Sequence, residues 1–298
     1  MINKKRYFLR TFVRLFALIL IISTLLVSCM EDTSSKNGFA DFDPNSVGGN
    51  VDNNSTKKPS NSSTNKPNSS GNKNNNSNNN NNNTTTKPNT SGKKRVAITY
   101  DDGPHNSRTN AIVDELAKYG FHATFFVVGN RVDGKAYNGS SAVKYAASKG
   151  NEIAIHAYTH DRYYDTCDSE IYEEELSNTY SAIKKVVPNA KVNLMRPVGG
   201  RITAERTESC DYAVIMWSVD SNDWKYKNDG ASGVETIVDN VMSQVQNGSI
   251  ILMHDIYENT YLATKEILKQ LSAQGYEVVT VSELLGNPQA GVKYSKAS

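Results

Sequence analysis

The chain has little cysteine, little net charge and no long apolar run. Three cysteines in 298 residues exclude a disulfide-dense scaffold, whose fold depends on several bridges. Neither Cys167 nor Cys210 has a second cysteine at ligand spacing, which argues against a thiolate zinc site. The 33 Lys and Arg nearly balance the 31 Asp and Glu, for a net charge of +2. Nothing in that balance supports nucleic-acid binding. The longest apolar run, Leu15 to Val27, has about 13 residues, short of the roughly 18 that cross a bilayer comfortably.

That run reads as targeting, not as fold. A basic start (Lys4, Lys5, Arg6, Arg10, Arg14) precedes it, and it ends in Leu26-Val27-Ser28-Cys29. This ending resembles the lipobox of bacterial lipoproteins. Residues 1–28 are then a signal peptide, and Cys29 takes the lipid and becomes the mature N-terminus. An uncleaved signal anchor is the alternative. Either way the remainder is expected on the extracellular face of the membrane. Residues 29–93 are rich in Asn, Ser, Thr, Lys, Gly and Pro, nearly pure Asn over 74–83. Such a segment buries too little apolar surface to offset its ordering entropy. It reads as a spacer of roughly 40–45 Å root-mean-square span, lifting the rest into the cell-wall zone. In an exported chain, Cys167 and Cys210 either pair or stay apart; both readings are open.

From Arg95 onward, short β-branched runs alternate with amphipathic stretches. The expected strands are Val96–Tyr100, Ala123–Val128, Glu152–His156, Val192–Met195, Ala213–Val219, Ile250–His254 and Glu277–Val281. The expected helices are Thr109–Tyr119, Ser140–Ser148, Glu170–Val187, Ser232–Gln246 and Asn259–Gln274, the fourth opened by a capping box at Ser232-Gly233-Val234-Glu235. Continuous apolar strands alternating with helices predict an α/β fold with a parallel sheet. The chemistry-bearing residues fall just after strands, as in β/α barrels. About seven strands imply a distorted, incomplete (β/α) barrel over 94–286, with 287–298 as a flexible tail. A doubly wound open sheet is the alternative.

Two stretches hold those residues. Thr99-Tyr100-Asp101-Asp102-Gly103-Pro104 supplies adjacent carboxylates, and His156-Ala157-Tyr158-Thr159-His160 supplies histidines four apart. Two imidazoles and one carboxylate suit a zinc-type ion and leave a position open for water. Neighbouring residues on a strand end point in different directions, so the second carboxylate is free to act as a base.

Together with Arg196-Pro197-Val198-Gly199-Gly200, Asp220-Ser221-Asn222-Asp223-Trp224 and Leu252-Met253-His254, these stretches resemble, in order, the five blocks of the polysaccharide deacetylases (carbohydrate esterase family four). The resemblance covers about Lys94 to Leu285. It implies a distorted β/α barrel holding a divalent metal, usually Zn²⁺ with Co²⁺ possible, that removes acetyl groups from sugars. Residue by residue, Asp102, His156 and His160 look like metal ligands and Asp101 like the general base. Arg196 looks like the guanidinium that holds Asp101 in place as a carboxylate. His254 looks like the acid that protonates the leaving amine, with Asp220 as its orienting carboxylate. Trp224 and Leu252 look like walls of the acetyl pocket.

The third block departs from the family's common Arg-Pro-Pro-Tyr-Gly, with Val198 and Gly199 in place of the second Pro and the Tyr. Gly199 keeps the backbone N–H that the family uses as an oxyanion donor but loses an aromatic wall. Arg201 reads as either a solvent-facing residue or a contact for an anionic group. The reading that follows is a lipid-anchored, monomeric, metal-dependent N-deacetylase of a cell-wall amino-sugar polymer, most readily peptidoglycan at N-acetylglucosamine or N-acetylmuramic acid. An acetylxylan or chitin-oligosaccharide deacetylase, a non-catalytic carbohydrate-binding protein and a surface stalk are the rivals.

Overall fold

The computed structural model describes residues 92–134 and 139–298. The signal segment, Cys29 and the spacer up to residue 91 lie outside the described residues. In chain order the elements are β1 (Lys94–Asp101), α1 (Arg108–Lys118), β2 (Thr124–Val128), α2 (Gly129–Asp133), α3 (Gly139–Ser148), β3 (Glu152–Ala157), α4 (Ser169–Val186) and β4 (Leu194–Met195). A short 3-10 turn at Val198–Gly200 precedes α5 (Ala204–Glu208), β5 (Ala213–Ile215), β6 (Val219–Asp220), α6 (Gly230–Met242), β7 (Ile250–His254), α7 (Glu258–Ala273), β8 (Tyr276–Val278), α8 (Val281–Leu285) and β9 (Lys293–Tyr294). Among the described residues no helix is long and apolar enough to cross a membrane.

The sheet runs β6-β7-β1-β2-β3-β4-β5-β9, with β8 also on β1, and every pairing is parallel. From β6 through β5 this is the sequence order closed on itself, the late strands 6 and 7 lying beside the first. A doubly wound sheet reverses direction partway across; this one does not. The architecture is therefore a barrel interrupted between β5 and β6.

Strand parity places the chemistry. Along β1, Val96, Ile98 and Tyr100 join the large cluster between sheet and helices, and Ala97 faces the barrel interior. Successive side chains alternate faces, so Thr99 and Asp101 point inward with Ala97. On β7, Ile251 and Met253 face the helices, which turns Ile250, Leu252 and His254 inward. On β3, Ile153, Ile155 and Ala157 pack outward and Ala154 inward, leaving His156 inside. Small and medium residues (Ala97, Ala154, Ala213, Ile250, with Phe126 and Val281) fill the lower barrel, and the polar inward positions gather at the strands' C-terminal ends.

Four expectations change. The single strand expected over Ala213–Val219 is two, β5 and β6, on opposite sides of the gap; Met216-Trp217-Ser218 crosses between them. The strand expected at Glu277–Val281 ends at Val278, and Val281 opens α8 behind a capping box of Thr280 and Glu283. The capping box expected at Ser232–Glu235 does not form, because α6 starts earlier, at Gly230, and Ser232 bonds back to the Asp229 carbonyl. The tail is not loose. β9 pairs with β5, with Val214 N–H to Val292 O at 2.9 Å and Met216 N–H to Tyr294 O at 2.7 Å. Beyond it, Lys296 bridges Ser249 at the foot of β7. The tail thus covers the open edge of β5 and reaches across the gap in the barrel.

Candidate active site

Asp101 and His254 are direct neighbours across the β1–β7 pairing, so two inward chemical groups stand side by side at the strand ends. His156 also points inward by strand alternation, and it sits at an irregularity of the sheet. The β2–β3 register slips between Val127 and Val128, pairing them with Ile155 and Ala157, so His156 is the extra residue of a bulge, an irregularity common beside sites. Asp102 and His160 both take left-handed backbone conformations, φ 70° and 67°. Such angles are costly for non-glycine residues and persist where the surroundings impose them. Both residues belong to the cluster described next.

Asp102, His156 and His160 present one ligand atom each, all within 4.8 Å of one another. The Nε2 atoms of His156 and His160 lie 3.3 and 3.0 Å from Asp102 Oδ1. That oxygen is buried and has no hydrogen-bond partner. Ligand atoms at about 2.0–2.1 Å from a tetrahedral zinc stand roughly 3.3 Å apart, so the spacing fits an ion at the centre of the three. His156 Nδ1 lies 2.8 Å from the Arg196 carbonyl; donating there turns Nε2 into the free lone pair. Burial works against a charged His156 ring, but the Asp101 and Asp102 carboxylates outweigh it and raise its pKa. Burial likewise disfavours the Asp102 charge, and the neighbouring rings reverse that, holding its carboxyl far below the usual range. The cluster is a negative well that favours a cation.

Arg196 sits behind Asp101, fully buried. Its Nη1 donates to Asp101 Oδ1 at 2.8 Å and to Thr99 Oγ1 at 2.6 Å; Nε and Nη2 donate to the Ile215 and Met216 carbonyls, both at 3.0 Å. Its guanidinium also lies 4.3 Å from the Phe126 ring centre. The carbonyls it uses are those freed where the chain leaves β5 to cross the gap. The residue that fixes Asp101 is thus itself anchored at the end of β5, beside the interruption of the barrel.

The carboxylate on His254 is Asp223, not Asp220, which corrects the expectation from the fourth block. Asp223 Oδ1 accepts a hydrogen bond from His254 Nδ1–H at 2.7 Å. Its oxygens also accept from His254 N–H, Trp224 N–H and Thr260 Oγ1. Asp220 instead accepts from the Asn222 N–H at 2.8 Å and lines the cleft. Asn222, at φ 53°, turns the loop so that Asp223 passes beneath the imidazole.

The cleft is about 460 Å³ and is lined by Asp101, Asp102, His156, His160, Gly199, Asp220, Trp224, Leu252 and His254. Every expected site residue from Asp101 to His254 therefore lies in it except Arg196, which supports it from behind. Tyr163, Trp217 and Tyr257 also line it; no block of the sequence pointed to them. Among the described residues the Gly199 N–H has no protein acceptor, and it borders the cleft. Asp255 carries no block signal of its own. It is buried beneath Gly103, where a side chain at 103 would collide with its carboxylate, and accepts from Thr109. Burial pushes its carboxyl up to about 7.

A polysaccharide deacetylase family model matches residues 88–214. The peptidoglycan-N-acetylglucosamine deacetylase of Bacillus cereus is 34% identical over 203 residues, 65% of this chain and 90% of that protein. The chain belongs to the polysaccharide deacetylase family. Among other family members, the peptidoglycan-N-acetylmuramic acid deacetylase PdaC of Bacillus subtilis is 38% identical over 192 residues. That match takes in 64% of this chain but spans only 39% of PdaC's length. The solved structure of B. subtilis PdaC superposes with a TM-score of 0.59 at 38% identity, over 64% of this chain and 90% of the solved one.

In this polysaccharide deacetylase fold the second histidine depends on a buried acid on α4. Glu175 accepts from the Tyr158 and Thr159 N–H groups at 2.7 and 2.9 Å and from Thr159 Oγ1 at 2.6 Å. It thereby shapes the turn that carries His160. Glu175→Ala strips those donors of their acceptor, and each buried donor left unsatisfied costs about 1–3 kcal/mol. Zinc affinity, measured by competition with a chromophoric chelator, is expected to fall roughly 10–100-fold. Unchanged affinity would remove Glu175 from the support of His160.

Proposed function

We propose that this chain hydrolyses N-acetyl groups of a cell-wall amino-sugar polymer, peptidoglycan foremost, and releases acetate. The observation that carries the reading is the pair Asp101 and His254, a carboxylate and a carboxylate-backed imidazole on adjacent strands, beside the convergent Asp102, His156 and His160. Those three residues would hold a divalent ion; borderline nitrogen and oxygen donors suit zinc, with cobalt(II) the other choice. Bound there, such an ion supplies Lewis acidity toward the acetyl oxygen and makes water a better nucleophile at neutral pH.

The protein's own groups do the rest. Asp101, held in place by Arg196, takes a proton from the attacking water while the water oxygen bonds to the acetyl carbon. The Gly199 N–H faces the oxygen that gains charge. An amine expelled as an anion is a very poor leaving group, so the C–N bond breaks as His254 gives the nitrogen its proton. Leu252 and Trp224 border the methyl. Peptidoglycan as the polymer is supported by the lipobox-like Cys29 and the long polar spacer, which together would hold a monomeric domain in the wall.

The test is acetate release by the full chain from peptidoglycan, chitin oligomers and acetylated xylan, after chelation and again with added Zn²⁺. Chelation is expected to lower release from the amide substrates by at least about 100-fold, and zinc to restore it. Acetate from xylan alone would make the protein an esterase. No acetate from any substrate, with metal bound, would falsify the hydrolytic reading.

A further inference from the structure

Gly199 leaves a space in the cleft wall, and another loop fills it. A Cβ at position 199 would lie 3.2 Å from Tyr163 Cε1. Tyr163 is one of the few large apolar side chains exposed among the described residues, at 45%, and it lines the cleft, as does Trp224 at 48%. Burying such rings against water would have been favourable, so their joint exposure at one cleft marks a surface kept open for a ligand.

The ring is also held. Arg201 lies over it, its guanidinium 4.1 Å from the ring centre, and Arg201 Nε is tied to Asp165 Oδ2 at 2.9 Å. The Tyr163 carbonyl accepts from the Thr166 and Cys167 N–H groups. Arg206 pins the next carbonyls of the loop, Tyr164 at 2.7 Å and Cys167 at 2.6 Å. Arg201 therefore spends its charge on Asp165 and its flat face on Tyr163, bracing a ring instead of meeting an anion. A pre-positioned aromatic ring loses little freedom on binding, and its face suits the C–H face of a pyranose.

We infer that Tyr163 is a specificity-determining residue: it supplies the aromatic wall that Gly199 lacks, and a sugar ring of the glycan adjoining the acetylated residue packs on it. This rests on the deacetylase reading above and adds where the neighbouring sugar lies. The residue acts on binding, not on bond cleavage.

The experiment compares wild type, Tyr163→Ala, Tyr163→Phe and Arg201→Ala, each as the metal-loaded full chain, on N-acetylglucosamine and its tetramer. Binding of the tetramer is measured by calorimetry alongside acetate release. Tyr163→Ala is expected to raise KM and Kd for the tetramer by about tenfold with kcat within about threefold. Its loss on the tetramer should exceed that on the monosaccharide by fivefold or more. Tyr163→Phe keeps the wall and stays near wild type, and Arg201→Ala falls between. A tetramer Kd unchanged in Tyr163→Ala would overturn the inference, as would equal losses on monosaccharide and tetramer. If wild type binds the tetramer and releases acetate from neither it nor peptidoglycan nor acetylated xylan, the deacetylase reading fails while the Kd comparison still decides Tyr163.

Discussion

Replacing Asp101 by asparagine is expected to lower kcat by about 10²–10⁴-fold while leaving zinc affinity within about threefold. The amide has the shape of the carboxylate and keeps an oxygen that can accept from Arg196 Nη1, now 2.8 Å from Asp101 Oδ1. It cannot take a proton from water. Asp101 is not among the three convergent ligand atoms, so the ion site should survive. Arg196, fully buried, would lose its one carboxylate partner but retain Thr99 and the Ile215 and Met216 carbonyls. Asp101→Ala removes the acceptor as well, and breaking a buried pair costs about 3–5 kcal/mol. The alanine variant should therefore lose thermal stability where the asparagine variant loses mainly turnover. Acetate kinetics, zinc titration and a thermal melt on the two proteins separate these effects. A wild-type rate in Asp101→Asn would rule out Asp101 as the base; joint loss of zinc and rate would make it a ligand.

The reactive half of the site was legible because its chemistry is tied to strand ends. Asp101-Asp102 and the two histidines announce a ligand set through residue type alone, and apolar β-branched runs locate the strands beneath them. What the sequence hides is direction. Asp220 and Asp223 flank the same short loop, and either could reach His254; only the left-handed Asn222 decides that Asp223 does. Ala213 to Val219 is one apolar run, yet it holds two strands, since the residues crossing a barrel gap can be as apolar as those within a strand. The tail has no side-chain signature of a strand because its pairing rests on backbone groups at Val292 and Tyr294. Tyr163 belongs to no motif. Its place beside Gly199 arises from two loops some 36 residues apart meeting at one rim, which no local pattern encodes. The missing aromatic at 199 was visible; its replacement was not.

The Asp223 assignment carries the sharpest pH prediction. Burial alone would push the His254 proton off, but the Asp223 charge and hydrogen bond outweigh it and push the pKa up to about 9. A general acid must be protonated, so kcat/KM on an amide substrate falls as pH rises through that value. In Asp223→Asn the largest opposing influence is gone while Asp102 and Asp101 still favour the proton, and the alkaline limb should move down by at least about one pH unit. At pH 10, above both limbs, the variant loses rate by roughly tenfold or more on the amide. It loses much less on an acetyl ester, whose alkoxide leaving group needs the proton less. Asp220→Asn should leave the limb where it is, because Asp220 bonds the Asn222 N–H and not the imidazole. A cation held by Asp102, His156 and His160 displaces the limb of every variant in the same direction, so the readout is the difference between variants at fixed zinc. A limb that moves in Asp220→Asn and stays in Asp223→Asn would restore Asp220 as the partner. A limb that moves in neither would mean that the titrating acid is not His254.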